Sequence, residues 1–187
     1  MNTKKELLLF ILFFALIALL LLVFNLRQPL LNQSLLASKF PQYTINSSKC
    51  FSSSYLFSSG INLICTEVLR TKNTTSLPST IVLTKYVFSS PTAASLYLQN
   101  LTSLLNSTPW PVATRTFSGI TNSSNVKMYF TAIEDLTNGN YIVATSYLQI
   151  NNIVFSSSAE GSSKLINYST AEKYSSLATY LLFKTLH

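Results

Sequence analysis

The chain of 187 residues is long enough for one compact domain and a membrane anchor, and too short for two ordinary domains. Only 10% of its residues are charged, the formal net charge is +7, and Ser, Thr and Asn make up roughly a third of the sequence. Hydroxyls and amides, rather than charges, must therefore keep its surface hydrated. The apolar fraction of 48% argues against intrinsic disorder, and the scattered lysines and arginines argue against a nucleic-acid partner.

An N-terminal apolar segment predicts a membrane anchor. Every residue from Leu7 to Phe24 is apolar, and the run extends to Leu26. A helix of ~20 residues spans the ~30 Å hydrocarbon core, so we predict a transmembrane helix at 7–26 in contact with lipid. Lys4 and Lys5 precede it, which places a short tip at 1–6 in the cytoplasm and the rest of the chain outside the cell. A cleaved secretory signal is the alternative, disfavoured because the run is long and no small-x-small cleavage site closes it.

Two further features agree with export. Seven Asn-x-Ser/Thr sequons predict glycosylation at Asn32, Asn46, Asn73, Asn100, Asn106, Asn122 and Asn167. Cys50 and Cys65 are the only cysteines, and in an oxidising compartment they can form a disulfide bond. Two buried thiols are the alternative. A metal site is not expected, because two thiols supply half of a tetrahedral shell and the single histidine is His187.

The first part of the exported region divides into a stalk and a strand-rich segment. Residues 27–49 are polar and contain Pro29 and Pro41, so we interpret them as a juxtamembrane stalk in which Gln33–Lys39 can form a short helix. The extracytoplasmic domain is accordingly expected at 50–187. Runs rich in β-branched and aromatic residues predict strands at Ser54–Phe57, Ile61–Arg70 and Ile81–Phe88.

A helix is predicted after the third of these strands, because Ser90 is a suitable N-cap and Pro91 suits the first helical position. Ala94, Leu98, Leu101 and Leu105 then recur at helical spacing until Pro109 and Pro111 end the run. Strands are predicted next at Thr114–Ile120, Val126–Glu134, Tyr141–Ile150 and Ile153–Ser158. Asn138-Gly139 predicts a hairpin, and Asn151-Asn152 a further turn.

The last helix is predicted to begin at a capping box, Ser169-Thr170-Ala171-Glu172. Its apolar stripe is expected to face the core, with an exposed partner-binding face as the alternative; the stripe consists of Tyr174, Leu177, Ala178, Leu181 and Leu182. The order of elements predicts an α+β domain, with a mostly antiparallel sheet and two helices on one face.

The sequence lacks the groups that catalysis usually needs. Without a usable histidine no Ser-His-Asp triad can be built, and four glycines supply no phosphate-binding loop. A carboxylate pair from Glu67 and Glu134 is the remaining enzymatic pattern, and nothing near either residue supports it. We therefore expect a non-enzyme without cofactors, metals or an identifiable small-molecule substrate. Trp110, between two prolines, is a possible binding anchor or a cover over one end of the core.

Two resemblances extend these expectations. The leucine-rich anchor and the low-charge, sequon-rich remainder resemble small surface proteins of thermoacidophilic archaea of the Sulfolobales. The segments 86–94 and 138–143 and the C-terminal helix are similar to extracytoplasmic sensor-like domains, such as those of bacterial receptor kinases and lipoproteins, and to the PsbP-like fold. That resemblance implies a domain that binds ligands or partner proteins without catalysis.

These expectations lead to a functional hypothesis and an alternative. The hypothesis is a non-catalytic recognition or accessory subunit, anchored in the cell membrane by one helix, with its C-terminal domain outside and with envelope proteins as partners. The alternative is a structural subunit of an extracellular filament, virion envelope or surface layer, which requires cleavage near residues 26–38 and a free extended stalk that donates a strand.

Overall fold

The computed structural model describes residues 30–52, 60–72, 76–107, 126–136 and 141–185, with only the backbone of 126–136 and of Asn106. The helix predicted at 7–26 lies outside these residues. Within them, no helix is long and apolar enough to cross a bilayer. The strands predicted at Ser54–Phe57 and Thr114–Ile120 also lie outside the described part.

Six antiparallel strands form one sheet, in the order β1-β2-β3-β6-β5-β4. The strands are β1 (Tyr43–Ser52), β2 (Ile61–Thr71), β3 (Thr80–Phe88), β4 (Val126–Leu136), β5 (Tyr141–Ile150) and β6 (Ile153–Ser162). Three helices accompany them in the described residues: α1 (Gln33–Lys39), α2 (Pro91–Ser107) and α3 (Tyr168–Lys184). The predicted α+β class and antiparallel sheet are confirmed.

Each half of the sheet is a three-stranded meander followed by a helix. In the second half, Leu136 pairs with Tyr141, so the strands form the predicted hairpin, although Asn138-Gly139 itself lies outside the described residues. Asn151, with φ +51°, occupies the two-residue turn between β5 and β6, as predicted. The two meanders join where β3 pairs with β6, from Thr80↔Glu160 to Val87↔Ile153.

One face of the sheet, here called the α3 face, carries the larger core. Along β6 this face is formed by Phe155, Ser157 and Ala159, and α1 and α3 pack on it side by side. The rings of Phe40, at the end of α1, and Tyr174 on α3 have centroids 6.1 Å apart. The apolar stripe of α3 faces this core as predicted, because Ala178, Leu181 and Leu182 are all buried.

The opposite face, here called the α2 face, is covered at one end by α2. Val154 and Phe88 of the sheet pack there against Ala94 and Leu98 of the helix. Ser90 caps α2 as predicted, since its Oγ accepts a hydrogen bond from the Ala93 amide at 3.1 Å. The prediction that both helices lie on one face was therefore wrong. Side chains alternate between faces along a strand, and β6 is apolar at successive positions, so both of its faces need cover.

The N-terminal segment belongs to the domain. Residues 27–49 were interpreted as a stalk, whereas Leu31, Leu36, Phe40 and Tyr43 are buried in the core of the α3 face and β1 begins at Tyr43. The Tyr43 hydroxyl also donates a hydrogen bond of 2.8 Å to the Pro78 carbonyl. The boundary expected at residue 50 therefore moves to about residue 30. Four widely spaced apolar residues bury this segment although most of its sequence is polar.

The start of α3 also differs from the prediction. Asn167, not Ser169, is the N-cap, and its side-chain oxygen accepts from the Thr170 amide at 2.9 Å. Ile166 and Ala171 lie together in a small buried cluster, the arrangement of a hydrophobic staple that fixes where a helix begins. Ile166 also packs closely on Gly161, because a Cβ at Gly161 would lie 2.8 Å from the Ile166 Cδ1 atom.

Replacing the N-cap should destabilise the domain more than disrupting the sequence-predicted capping box. We expect Asn167→Ala to lower the free energy of unfolding by about 0.5–2 kcal/mol, because the Thr170 amide loses its partner. Ser169→Ala is the matched control, since it destroys the same sequon and leaves the cap intact. Equal destabilisation of both variants in urea titrations would contradict the assignment of Asn167.

Candidate recognition surface

A cluster of tyrosines lies on the α2 face, at the contact between α2 and the sheet. Tyr86 of β3 and Tyr97 of α2 have ring centroids 5.5 Å apart, and the rings of Tyr97 and Phe88 are 5.2 Å apart. Tyr147 of β5 packs against the same cluster. Burial, and then the neighbouring Tyr86 and Tyr147, raise the pKa of Tyr97 above its ordinary value. Its hydroxyl therefore stays protonated across the physiological range.

Hydroxyl groups and one carboxyl continue this surface along β5 and β6. The Thr145 and Ser158 hydroxyls are hydrogen-bonded at 2.8 Å, and the Tyr141 hydroxyl lies 3.5 Å from a carboxylate oxygen of Glu160. All four side chains are partly exposed. Burial raises the pKa of Glu160, and the Tyr141 hydrogen bond opposes that rise. We define the recognition surface as the part of the α2 face formed by Tyr86, Tyr97, Tyr147, Thr145, Ser158, Tyr141 and Glu160.

This surface suits recognition better than bond-breaking chemistry. Aromatic rings stack on flat or apolar groups, while tyrosine, serine and threonine hydroxyls donate and accept hydrogen bonds. Within the described residues, no group of three or more His, Cys, Asp or Glu side chains is placed to hold a metal ion.

Glu67 lies on the α3 face and is fully buried. Its Oε2 accepts a hydrogen bond of 2.8 Å from the Leu30 amide, and the Leu31 amide also stabilises the carboxylate. Burial outweighs both amides and raises the pKa of Glu67. Its Oε1 is buried without a hydrogen-bond partner in the described part of the chain. The sequence signal for this burial was its alternation with Cys65 and Leu69 on β2.

The proposed pair of Glu67 and Glu134 is not formed. Glu67 is on β2 and Glu134 on β4, four strands apart in the sheet order. At 4.7–4.9 Å per strand their backbones are separated by about 19 Å, well beyond the 5–9.5 Å that glycoside cleavage requires. Glu67 instead holds the N-terminal segment against the sheet.

A network of buried hydroxyls joins α3 to the centre of the sheet. Ser146 of β5 and Ser175 of α3 are hydrogen-bonded at 2.7 Å, and Ser157 of β6 bonds the Thr179 hydroxyl and the Ser175 carbonyl. All four side chains are fully buried. Because each of these hydroxyls has a partner, the serine-rich composition can enter the core without the cost of unpaired polar groups.

Cys50 and Cys65 form the predicted disulfide bond. They occupy directly paired positions on β1 and β2, so the bond crosses from the edge strand to its neighbour. It closes a loop whose ends are 15 residues apart, and that loop contains the β1–β2 connection.

The structure separates the predicted glycosylation sites into two kinds. Asn32 and Asn167 are N-caps of α1 and α3, and their side-chain oxygens accept hydrogen bonds from backbone amides. Asn46 lies within β1 and Asn100 within α2, and all four of these residues are exposed. Asn73 and Asn122 lie outside the described residues, as do Trp110 and His187, and the side chain of Asn106 is not described.

Comparison with known proteins supports the fold. The chain is similar to the extracellular domain of PknH from Mycobacterium tuberculosis, with a TM-score of 0.53 and 13% sequence identity over 83% of this chain and 93% of that one. No family model and no curated protein matches. The similarity agrees with the sensor-like architecture that the sequence resemblance implied. The compositional resemblance to archaeal surface proteins stays a prediction.

Removing the disulfide should destabilise the domain strongly. We expect Cys50→Ala combined with Cys65→Ala to lower the free energy of unfolding by about 3 kcal/mol, because the unfolded chain regains the freedom of the closed loop. Urea titrations with and without a reductant provide the measurement and the control, since the double variant should be insensitive to the reductant. If the reductant leaves the urea midpoint of the unsubstituted protein unchanged, the cysteines are not paired.

The buried carboxyl groups predict greater stability in acid. The folded state raises the pKa of Glu67 and Glu160, so it binds protons more tightly than the unfolded chain does. Their contribution is therefore largest below the ordinary glutamate pKa of about 4.3, and falls as pH rises through the raised values. The urea midpoint should increase from neutral pH to about pH 4. Glu67→Gln with Glu160→Gln should flatten this dependence, and an unchanged profile in that variant would contradict the prediction.

Proposed function

We propose that this chain is a non-catalytic recognition or accessory subunit, anchored in the cell membrane by 7–26, with its domain outside the cell. The observation that carries the proposal is the recognition surface, a group of partly exposed tyrosines and hydroxyls on a rigid sheet. Three tyrosines from different elements, Tyr86 on β3, Tyr147 on β5 and Tyr97 on α2, pack together in this surface. The fold supports the extracytoplasmic part, because the similar protein is an extracellular domain.

The occupant proposed for this surface is another component of the cell envelope. Tyrosine provides a large contact area with little conformational freedom to lose, and it is enriched at the centres of protein interfaces. The adjoining helix α2 carries no charged residue, so desolvating its side of the cluster on binding costs less than desolvating a charged surface. Glu160, with its raised pKa, is more readily protonated than a solvated glutamate and then donates a hydrogen bond.

The alternative role as a strand-donating assembly subunit receives less support. It requires residues beyond about 26 to be free for insertion into a neighbouring molecule. The corresponding segment here occupies its own domain, with Leu31 and Phe40 in the core and Tyr43–Ser52 paired to β2. Donating it would expose this core and break the Cys50–Cys65 connection.

Photo-cross-linking in native membranes tests the proposal. A cross-linking amino acid at Thr145 should attach the full-length chain to one defined envelope component, whereas the same group at the exposed Ser38 on α1 should not. Replacing Tyr86 and Tyr97 together with Ala should reduce the Thr145 adduct severalfold, while Tyr180→Ala, on α3, should leave it unchanged.

Two outcomes would overturn this proposal. One is recovery of the chain as a monomer without an adduct from Thr145. The other is an adduct that the Tyr86 and Tyr97 replacements do not reduce, since binding would then take place elsewhere on the molecule.

A further inference from the structure

The position of Glu67 fixes where the chain leaves the domain. Its buried carboxylate holds the Leu30 amide at 2.8 Å, and the next residue, Leu31, is fully buried. Residue 30 is therefore attached to the α3 face, in the same layer as α1 and α3. Any anchor that precedes residue 30 must reach the domain at this layer.

The connection to the predicted anchor is short. The apolar run ends at Leu26, so four residue steps separate it from Leu30, and an extended chain covers at most about 14 Å over that distance. A packed helix with its side chains is about 10–12 Å across. The domain therefore has no room to stand away from the bilayer, and the part of this layer that contains residue 30 must lie close to it.

Exposed charges on this layer complement an anionic surface. Lys39 ends α1, and Lys173 and Lys184 lie on the outer side of α3, all of them exposed. The Lys184 Nζ atom lies 5.1 Å above the Tyr180 ring, which is partly exposed on the same side. Lysine and tyrosine are the residues that anchor proteins at the headgroup region. On the other face, α2 contains no charged residue, although the strand register also places the exposed Lys49 and Arg70 on that side of the sheet.

We infer that the outer surface of α1 and α3 is the membrane-facing side of this domain, and that it contacts anionic lipid headgroups through Lys39, Lys173 and Lys184. The recognition surface and Asn100, on the opposite side of the sheet, then point away from the cell. This inference rests on the anchor in the proposed function and adds the orientation of the domain. It also separates the two surfaces by role, with one for lipid and the other for the envelope partner.

Distance measurements in bilayers test this orientation. The full-length chain is placed in nanodiscs that contain nickel-chelating lipid headgroups, with a nitroxide on a ketone-bearing amino acid so that the disulfide stays intact. Labels at Gln33 and Ser38, on α1, should show severalfold greater relaxation by nickel than labels at Gln99 and Leu104, on α2. Equal relaxation on both helices, greater relaxation on α2, or the greatest relaxation at a label on Phe51 would overturn the inference, the last because it indicates contact through one end of the sheet.

Charge replacements test the contact with headgroups. Changing Lys39, Lys173 and Lys184 together to Gln should reduce the additional relaxation of the α1 labels that anionic lipid produces over zwitterionic lipid. The matched control replaces Lys49, Arg70 and Lys72 with Gln, which removes the same charge from exposed positions on β1 and at the end of β2. Equal effects of the two triple variants would contradict the specific contact.

Different results would contradict the proposed anchor and the proposed orientation. If alkaline carbonate releases the full-length chain from membranes, the anchor in the proposed function is wrong. If the chain stays in the membrane but the labels on α1 and α2 do not differ, only the orientation is wrong.

Discussion

The pairing of β3 with β6 is the contact on which the rest of this structure depends. It joins two three-stranded meanders into one sheet. Its paired residues, such as Thr80 and Glu160, are far apart in sequence. Closing so long a loop costs conformational entropy that local hairpins avoid. Phe155 on one face and Val154 on the other place apolar surface on both sides of this seam. Burial of these two faces under α3 and α2 compensates for the cost.

Low charge shapes the interior as much as the surface. Besides apolar contacts, Ser146, Ser157, Ser175 and Thr179 form hydrogen bonds between α3 and the strands β5 and β6. The short hydroxyl side chains let the helix approach closely, and their pairing avoids the penalty of unsatisfied polar groups. Glu172 is one exception in the described residues and Glu67 is the other, because one of its oxygens is buried without a partner. A protonated carboxyl relieves part of that cost, which is consistent with its raised pKa.

The two faces of the sheet have different chemical characters. The α3 face is occupied by the N-terminal segment and α3, and exposes lysines. The α2 face carries partly exposed tyrosines and hydroxyls near its centre, and the exposed Lys49 and Arg70 on β1 and β2. A sheet with two covered faces needs a helix on each, and the uneven cover of the second face leaves the recognition surface accessible. The same six strands form both faces, so the accessibility of the recognition surface depends on how much of the α2 face is covered by α2.

The local features of this protein were predictable from its sequence, because each depends on neighbouring residues. The two-residue turn at Asn151-Asn152, the N-cap at Ser90 and most strand positions follow from backbone preferences of single residues and from alternation of side chains. Only one disulfide pairing within the chain was possible, because the sequence contains two cysteines. The export of the domain and its anchor were also inferred at that level, from an uninterrupted apolar run.

Features that depend on contacts distant in sequence were decided only by the tertiary structure. Placing α2 and α3 on opposite faces requires knowing that β6 is central, and this follows from its pairing with β3. Asn167 rather than Ser169 is the N-cap, and the residue before it, Ile166, packs against Gly161 and lies in one cluster with Ala171. The sequence of 30–49 is typical of a stalk, whereas in the structure Leu31 and Phe40 pack on the α3 face. The Glu67 carboxylate there accepts a hydrogen bond from the Leu30 amide. Hydropathy along a chain shows which residues favour burial. Only the folded sheet determines which of them can be buried together, because burial depends on contacts between segments that are distant in sequence.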